Sequence, residues 1–139
     1  RSIVEQRGWA KQVFLLGRLP DADLAALARR ADLFVLPCIG APGDVEGFGI
    51  VLLEAARFGV PSVATRSGGI PDAVEDGTTG VLVDEGDVVG AAEAAADLLE
   101  DGERRRVLGE NARRRAERDF SWDAAARRLA SILTAHFID

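Results

Sequence analysis

Two carboxylates, Glu46 and Glu54, are separated by eight positions and are the residues of this sequence best suited to chemistry. Between them lie Gly47 and Gly49 and an otherwise wholly apolar run. The pattern predicts a turn that leads into a buried helix, with a bare backbone where a ligand can approach the free N–H groups. Those groups and the helix dipole attract anions, so an anionic ligand is expected at this helix N-terminus.

The spacing of the two carboxylates indicates the length of ligand that they could flank. A rise of ~1.5 Å per residue places their Cα atoms roughly 12 Å apart, which is about the span of a nucleoside diphosphate and the group beyond it. Steps of about 100° per residue leave them about 80° apart around the axis, so both could flank one elongated ligand. Alternatively, Glu46 only complements the helix dipole. Because Glu54 interrupts an apolar run, it is expected near a buried surface, held by a ribose diol, the backbone or Arg57.

The composition limits the class of protein. With 139 residues, 47% hydrophobic and 29% charged, residues 1–139 are expected to form one soluble α/β domain or a part of one. The net charge of −6 argues against general nucleic-acid binding. The single cysteine excludes an internal disulfide and favours a reducing, cytoplasmic compartment. One cysteine and one histidine do not make a usual zinc site, and His136 is interpreted as structural.

Arginine is concentrated late in the chain, with seven of these residues in 104–118. The favoured interpretation is a solvated helix face. The alternative is contact with an acidic membrane surface or a neighbouring domain, which would make the protein peripheral to the inner face of a membrane.

Apolar runs that alternate with helical patterns predict a parallel sheet of about four strands, covered on both faces. The predicted strands are Val13–Leu16, Leu33–Leu36, Pro61–Thr65 and Gly80–Val83. The first predicted helix has Asp21 as its N-cap, and the second covers about 47–59 and ends near Gly59. A short helix is predicted from about Pro71, followed by helices over about 87–100 and 103–118. The last helix, with Ser121 or Asp119 as its cap, is expected to bury Leu129, Ile132 and Leu133. Ligands of such sheets bind at the carboxyl ends of the strands, which here carry the loops Gly17–Pro20, Pro37–Gly49 and Arg66–Ile70.

Five segments make the sequence similar to a known family. They are VFLLGRL, ADLFVLP, EGFGIVLLEAARFGVPSVAT, SGGIPDAVEDGTTGVLV and FSW, in the family's order and spacing. The stretch from Glu46 to Glu54 resembles the E-x7-E motif of retaining glycosyltransferases, notably glycosyltransferase family 4. The similarity covers nearly the whole chain, and implies a Rossmann-like parallel sheet from the C-terminal half of a GT-B fold, the half that binds the nucleotide-sugar donor.

The resemblance also implies roles for individual residues. Glu46 would bind hydroxyl groups of the donor sugar and act in catalysis, with backbone groups of Gly47, Phe48 and Gly49 beside it. The N–H groups of Ile50 and Val51 would meet the diphosphate, and Glu54 would hold the ribose. Arg18 lies where the family contacts the base. No metal cofactor is implied, and configuration at the sugar would be retained through front-face attack assisted by the leaving diphosphate.

Several parts of the family pattern are absent from this sequence. The acceptor-binding domain, the first two strands of the donor domain and the basic segment between them are missing, so the chain is interpreted as a partial domain and is expected to be inactive alone. The acceptor is open: a glycan, a lipid or a small molecule. Two alternatives are a non-catalytic nucleotide-sugar binding module of the same fold and a GT-B sugar-nucleotide epimerase.

The missing strands lead to an expectation about the sheet. In the order 3-2-1-4-5-6 they would separate Val13–Leu16 from Leu33–Leu36 by about two strand spacings, near 14 Å. Without them, Val13–Leu16 is expected to close onto Leu33–Leu36, or a second copy to supply the partners. The chain alone is therefore expected to self-associate or to be poorly stable.

Overall fold

The computed structural model describes residues 3–39 and 47–137, without the side chains of residues 136 and 137, so the interpretation of His136 lies outside it. The helices are α1 (Ile3–Gln6), α2 (Asp21–Ala28), α3 (Ile50–Arg57), α4 (Ile70–Ala73), α5 (Val88–Glu100), α6 (Gly102–Asp119) and α7 (Trp122–Phe137). The strands are β1 (Phe34–Leu36), β2 (Ser62–Thr65) and β3 (Gly80–Val83). Helices and parallel strands alternate through the middle of the chain, which confirms the predicted α/β fold class.

The strands form a parallel sheet in the order β1-β2-β3. The central strand β2 is buried at every position, as expected for a parallel strand covered on both faces. Successive side chains of β2 point to opposite faces, so Ala64 packs with Leu52 of α3 and Ile70 of α4, while Val63 packs with Leu98 of α5. The sheet is therefore the middle layer between α3 and α4 on one face and α5 on the other.

Helix α6 joins these layers by packing along α3. Ala112 and Ala116 of α6 are buried against Ala56. Gly109 approaches the end of α3 so closely that a Cβ atom built on it would lie 2.0 Å from the carbonyl oxygen of Gly59. Gly59 itself has φ of 75° and follows the end of α3, which confirms it as the residue that ends this helix.

The predicted strand Val13–Leu16 is wrong. These residues lie outside any strand and are exposed, Phe14 by 71% and Leu15 by 72%. A strand must share its backbone hydrogen bonds with a neighbour, and within the described part of the chain β1 pairs only with β2. The expected closure of Val13–Leu16 onto β1 is therefore also wrong, whereas self-association stays a prediction.

Two expectations about helices, the N-cap of α2 and the burial of α7, are wrong. Asp21 is the first helical residue of α2 rather than its N-cap, and Pro20 in the cap position has no side-chain hydrogen bond to offer. The apolar residues of α7 were expected to be buried, but they are exposed: Leu129 58%, Ile132 48% and Leu133 46%. They form one face of an amphipathic helix, and burial needs an opposing surface as well as a pattern.

Most arginines of helix α6 lie on a solvent-exposed face, as the favoured interpretation predicted. Most of its exposed arginines form ion pairs one turn away or with the adjacent residue: Arg106 with Glu103 and Glu110, Arg113 with Glu117, Arg114 with Glu110, and Arg118 with Asp119. Such exposed pairs each contribute only about 0.2–1 kcal/mol to stability. They do leave little unpaired charge for a membrane surface, and membrane contact stays a prediction.

Candidate functional site at the carboxyl edge of the sheet

The loops that follow β1 and β2 emerge side by side at one edge of the sheet. Leu36 and Ala64 are paired in the parallel register, so both strands end at the same level. Just beyond them the buried hydroxyl of Thr65 donates a hydrogen bond of 2.7 Å to the carbonyl oxygen of Cys38. This is the edge at which ligands of open parallel sheets bind.

A turn of three residues, Gly47–Gly49, connects this edge to helix α3. Gly49 precedes the helix with φ of 68° and ψ of 49°, a left-handed conformation that favours glycine. Gly69, in the loop after β2, approaches the turn so closely that a Cβ atom built on it would lie 2.1 Å from the carbonyl oxygen of Gly47. The predicted meeting of these two loops at one edge is therefore confirmed.

Helix α3 presents one face to solvent beside this turn. Ile50 is 66% exposed and Val51 40%, whereas Leu52, Ala55 and Ala56 are buried. The first turn of a helix leaves its N–H groups without intrahelical acceptors, and Gly49 offers no side-chain cap. The N-terminus of α3 thus brings backbone donors and apolar side chains together on an accessible surface.

Glu54 lies on this exposed face, one turn beyond Ile50, so the expectation that it lies near a buried surface is wrong. The apolar run that surrounds it in sequence points mostly into the core, because α3 is covered by the sheet on one side only. Glu54 borders a cleft of about 460 Å³ between α2 and α3. The cleft is lined by Asp21, Leu24, Ala25, Ala28, Arg29, Glu54, Arg57, Phe58 and Glu117.

The structure shows no contact of the other two candidates, Glu46 and Arg18, with the α3 surface within the described residues. Glu46 lies outside the described residues, so its distance from Glu54 stays a prediction. Arg18 is exposed and does not follow a strand, since Val13–Leu16 forms none. The chain does return to the cleft shortly after Arg18, at Asp21, but a contact between Arg18 and a base stays a prediction.

Phe48 anchors the turn through a contact that sequence reasoning missed. Its half-buried ring lies 5.5 Å from the ring of Phe120, with 60° between the planes. Arg115 lies 5.1 Å over the other ring, Phe120, and donates to the carbonyl oxygens of Ala73 at 2.6 Å and Asp72 at 2.7 Å. The only sequence signal was the FSW segment, which marked a helix boundary and gave no hint of a contact 72 residues away.

The similarity of this chain to known proteins identifies its family. A family model described as "Glycosyl transferases group 1" matches residues 1–115. The chain belongs to this family. The predicted glycosyltransferase resemblance is thereby confirmed.

Two curated relatives of this chain are also glycosyltransferases. A GDP-mannose-dependent alpha-(1-6)-phosphatidylinositol monomannoside mannosyltransferase from Mycolicibacterium smegmatis is 43% identical over 129 residues, covering 91% of this chain and 34% of the relative. A D-inositol 3-phosphate glycosyltransferase from Corynebacterium kroppenstedtii is 44% identical over 119 residues, covering 86% and 25% respectively. The chain therefore spans a quarter to a third of the length of these relatives.

The fold of this chain is also found in a solved glycosyltransferase structure. HepE from Anabaena, solved in complex with UDP, has a TM-score of 0.82 and 27% identity, covering 95% of this chain and 35% of that one. The agreement over nearly the whole chain confirms the fold as that of the C-terminal Rossmann-like domain of GT-B glycosyltransferases.

A cluster of ion pairs stabilises the start of the loop after β2. Arg66 pairs with Asp76 at 2.6 Å and with Asp84 at 3.7 Å, and Asp76 also accepts a hydrogen bond of 2.9 Å from the Leu82 N–H. Partial burial acts to raise the pKa of Asp76, but the Leu82 N–H and the Arg66 guanidinium together hold that pKa below its usual value. The cluster fixes the base of the Arg66–Gly69 loop.

The described residues include neither a candidate metal cluster nor a candidate membrane-spanning helix. Within 3–39 and 47–137, no three His, Cys, Asp or Glu side chains are grouped to hold a metal ion. Over those same residues, no helix is both long enough and apolar enough to cross a bilayer. The implied independence from metal stays a prediction.

Proposed function

We propose that the full-length protein transfers a sugar from a nucleotide-diphosphate sugar to an acceptor, and that this chain is the part that binds the donor. The observation that carries the proposal is the exposed face of α3. It places Gly47, the first-turn residues Ile50 and Val51, and Glu54 along one accessible surface.

Each part of this surface suits one part of a nucleotide sugar. The helix dipole and the N–H groups of Ile50 and Val51 favour a diphosphate. Glu54, one turn further along, can accept hydrogen bonds from both hydroxyls of a ribose. Glu46 precedes the turn and would bind the sugar, and Arg18 would contact the base.

Names of relatives support the substrate class. The mycobacterial relative is named as dependent on GDP-mannose, and the Anabaena protein was solved with UDP. Both ligands share the nucleoside diphosphate that the α3 surface suits. We further propose that configuration is retained, by front-face attack assisted by the leaving diphosphate, and that no metal takes part.

The test uses the full-length protein and a panel of nucleotide sugars that differ in base and sugar. Release of nucleoside diphosphate from one member, with the transferred sugar keeping its anomeric configuration by NMR, is the expected result. Glu46→Ala should abolish most of the turnover while leaving affinity for the nucleoside diphosphate almost unchanged.

Two results would contradict the proposal. Binding of a nucleotide sugar without turnover, even with candidate glycan, lipid and small-molecule acceptors present, would favour a non-catalytic binding module. Isomerisation of the sugar nucleotide without transfer would favour an epimerase. The isolated chain of residues 1–139 should show no transfer, because it spans about a third of its relatives.

A further inference from the structure

The Phe48 turn is supported from outside its own loop by the end of helix α6. Phe48 lies between the two glycines of the turn, and its ring meets that of Phe120 at 5.5 Å in a tilted geometry. Separations of about 4.5–7 Å with inclined planes are those at which aromatic rings attract each other. Glycines on both sides leave the turn few side-chain contacts of its own.

Arg115 ties this contact to the second loop of the site. Its guanidinium lies over Phe120 at 5.1 Å and donates two hydrogen bonds to the last carbonyls of α4, those of Asp72 and Ala73. Helix carbonyls at a C-terminus lack intrahelical partners, so the Arg115 guanidinium caps the end of α4. The Arg115 side chain is only 20% exposed, which strengthens these contacts relative to surface pairs.

The contacts close into a ring around the turn. Gly47 lies against Gly69, which directly precedes α4. The last carbonyl oxygens of α4 accept hydrogen bonds from Arg115, and Arg115 lies over the ring of Phe120. The ring of Phe120 in turn packs on Phe48. A shift of any one member therefore displaces the turn that the proposed donor site depends on.

We propose that Phe120 and Arg115 are positioning residues, which set the place of the Gly47–Gly49 turn relative to the first turn of α3. The inference rests on the proposed function for its kinetic consequence, but not for its structural one. Phe120 meets the turn only through the Phe48 ring, and Arg115 contacts Phe120 and α4, so neither is placed against the donor itself and both act through Phe48 and α4. A displacement of the order of 1 Å in a donor-binding backbone lowers turnover far more than it lowers affinity for the nucleotide.

The kinetic test compares variants of the full-length enzyme. Phe120→Leu removes the ring and keeps the apolar bulk, and kcat is expected to fall about 10- to 100-fold with little change in affinity for the nucleoside diphosphate. Phe120→Tyr should keep most of the activity, because it keeps the ring. Arg115→Lys keeps the charge but loses the planar, two-pronged donation, and should lower kcat less than Phe120→Leu.

Two matched controls separate positioning from general loosening. Arg114→Lys changes the neighbouring exposed arginine, which pairs only with Glu110 among the ion pairs of this helix, and should leave kcat unchanged. Leu108→Ala opens a cavity in the core of the same helix, where Leu108 is 3% exposed. It should lower the melting temperature without the selective loss of kcat.

A second measurement does not depend on activity. Amide hydrogen exchange at Gly47, Phe48 and Gly49 should become about three- to tenfold faster in Phe120→Leu, with exchange in β2 unchanged. If the unaltered protein turns over no nucleotide sugar, the proposed function fails while this measurement still decides the positioning role. In Phe48→Leu, adding Phe120→Leu should cause little further loss, because the two residues act as one unit.

The inference is overturned if Phe120→Leu matches Leu108→Ala in kcat and leaves exchange at the turn unchanged. It is also overturned if the Phe48 and Phe120 substitutions have independent effects that add. Should Phe120→Leu fail to fold, Arg115→Lys is judged by the same two assays and the same criteria.

Discussion

The side-chain oxygen of Thr65 and the carbonyl oxygen of Cys38 lie 2.7 Å apart, joined by a hydrogen bond across the carboxyl ends of β2 and β1. Thr65 is 3% exposed, so water does not compete for this contact. The bond fixes where the chain leaves β1 and starts towards the Gly47–Gly49 turn. This side-chain hydrogen bond follows the last paired residues of the two strands, Leu36 and Ala64.

Replacing Thr65 by valine should destabilise the protein. Valine keeps the shape and the β-branch but cannot donate, so the free energy of unfolding should fall by about 1–2 kcal/mol. Urea denaturation of the full-length protein measures the change. Thr78→Val is the matched control, since Thr78 is exposed and its hydroxyl forms no hydrogen bond with another described residue; its effect should stay within about 0.5 kcal/mol. Equal effects of both substitutions would contradict the role assigned to the Thr65 hydroxyl.

Gly69→Ala should disrupt the proposed donor site by a purely steric route. The φ of Gly69 is −87°, which alanine adopts freely, so any cost comes from the 2.1 Å approach of the new Cβ to the Gly47 carbonyl oxygen. We expect a loss of about 1–3 kcal/mol in stability, typical of overpacking, and a fall in turnover of the full-length enzyme. Thermal unfolding and nucleotide-sugar hydrolysis measure the two effects.

Gly102→Ala provides the comparison for this variant. A Cβ atom at Gly102, the first residue of α6, meets nothing closer than 3.9 Å. Because alanine favours helix and restricts the unfolded chain, this substitution should be neutral or stabilising by up to about 1 kcal/mol. If Gly69→Ala were as harmless as Gly102→Ala, the close approach of the two loops would be refuted.

Local sequence signals predicted the elements that are determined locally. The apolar run of β3 between Gly80 and Val83 was bounded correctly, as was α5 after Asp87, whose carboxylate accepts from the Gly90 N–H. Ser121 caps α7 as one of the two predicted candidates, accepting from the Ala124 N–H at 3.1 Å. In each case the deciding residues lie within a few positions of one another.

Elements that depend on a distant partner were predicted poorly. Val13–Leu16 has the composition of a strand, but the described part of the chain offers it no strand to pair with, and the apolar face of α7 stays about half exposed. Glu54 was misjudged because an apolar neighbourhood in sequence does not say which side of a helix is covered. The Phe48–Phe120 contact could not be predicted, since no periodicity links residues that far apart.

The Arg66–Asp76 pair should make stability dependent on acid pH. The pKa of Asp76 is lower in the folded protein than its usual value, so the unfolded chain binds more protons at acid pH. The stabilisation is fully present above about pH 4–5, the range of an unfolded aspartate, and is lost as pH falls through the lower folded value. Asp76→Asn should therefore reduce stability at pH 7 and flatten its dependence on pH below about 4.

Melting temperatures of the two proteins between neutral and acid pH measure this effect. Asp97→Asn is a suitable control because Asp97 is exposed on α5 and forms none of the ion pairs recorded for the described residues. A parallel acid dependence in Asp76→Asn and the unaltered protein would show that other carboxylates account for it.

Glu54→Gln should weaken nucleotide binding without weakening the fold. Glu54 is exposed on α3, so the free energy of unfolding should change by less than about 0.5 kcal/mol. If its carboxylate accepts hydrogen bonds from the ribose, the neutral amide should reduce affinity for both the nucleoside diphosphate and the nucleotide sugar by about 1–3 kcal/mol. Calorimetric titration of the full-length protein measures both affinities. Glu93→Gln, an exposed change on α5, should alter neither. Unchanged affinity for the diphosphate in Glu54→Gln would remove Glu54 from the site, whereas a loss confined to the nucleotide sugar would move its contact from the ribose to the transferred sugar.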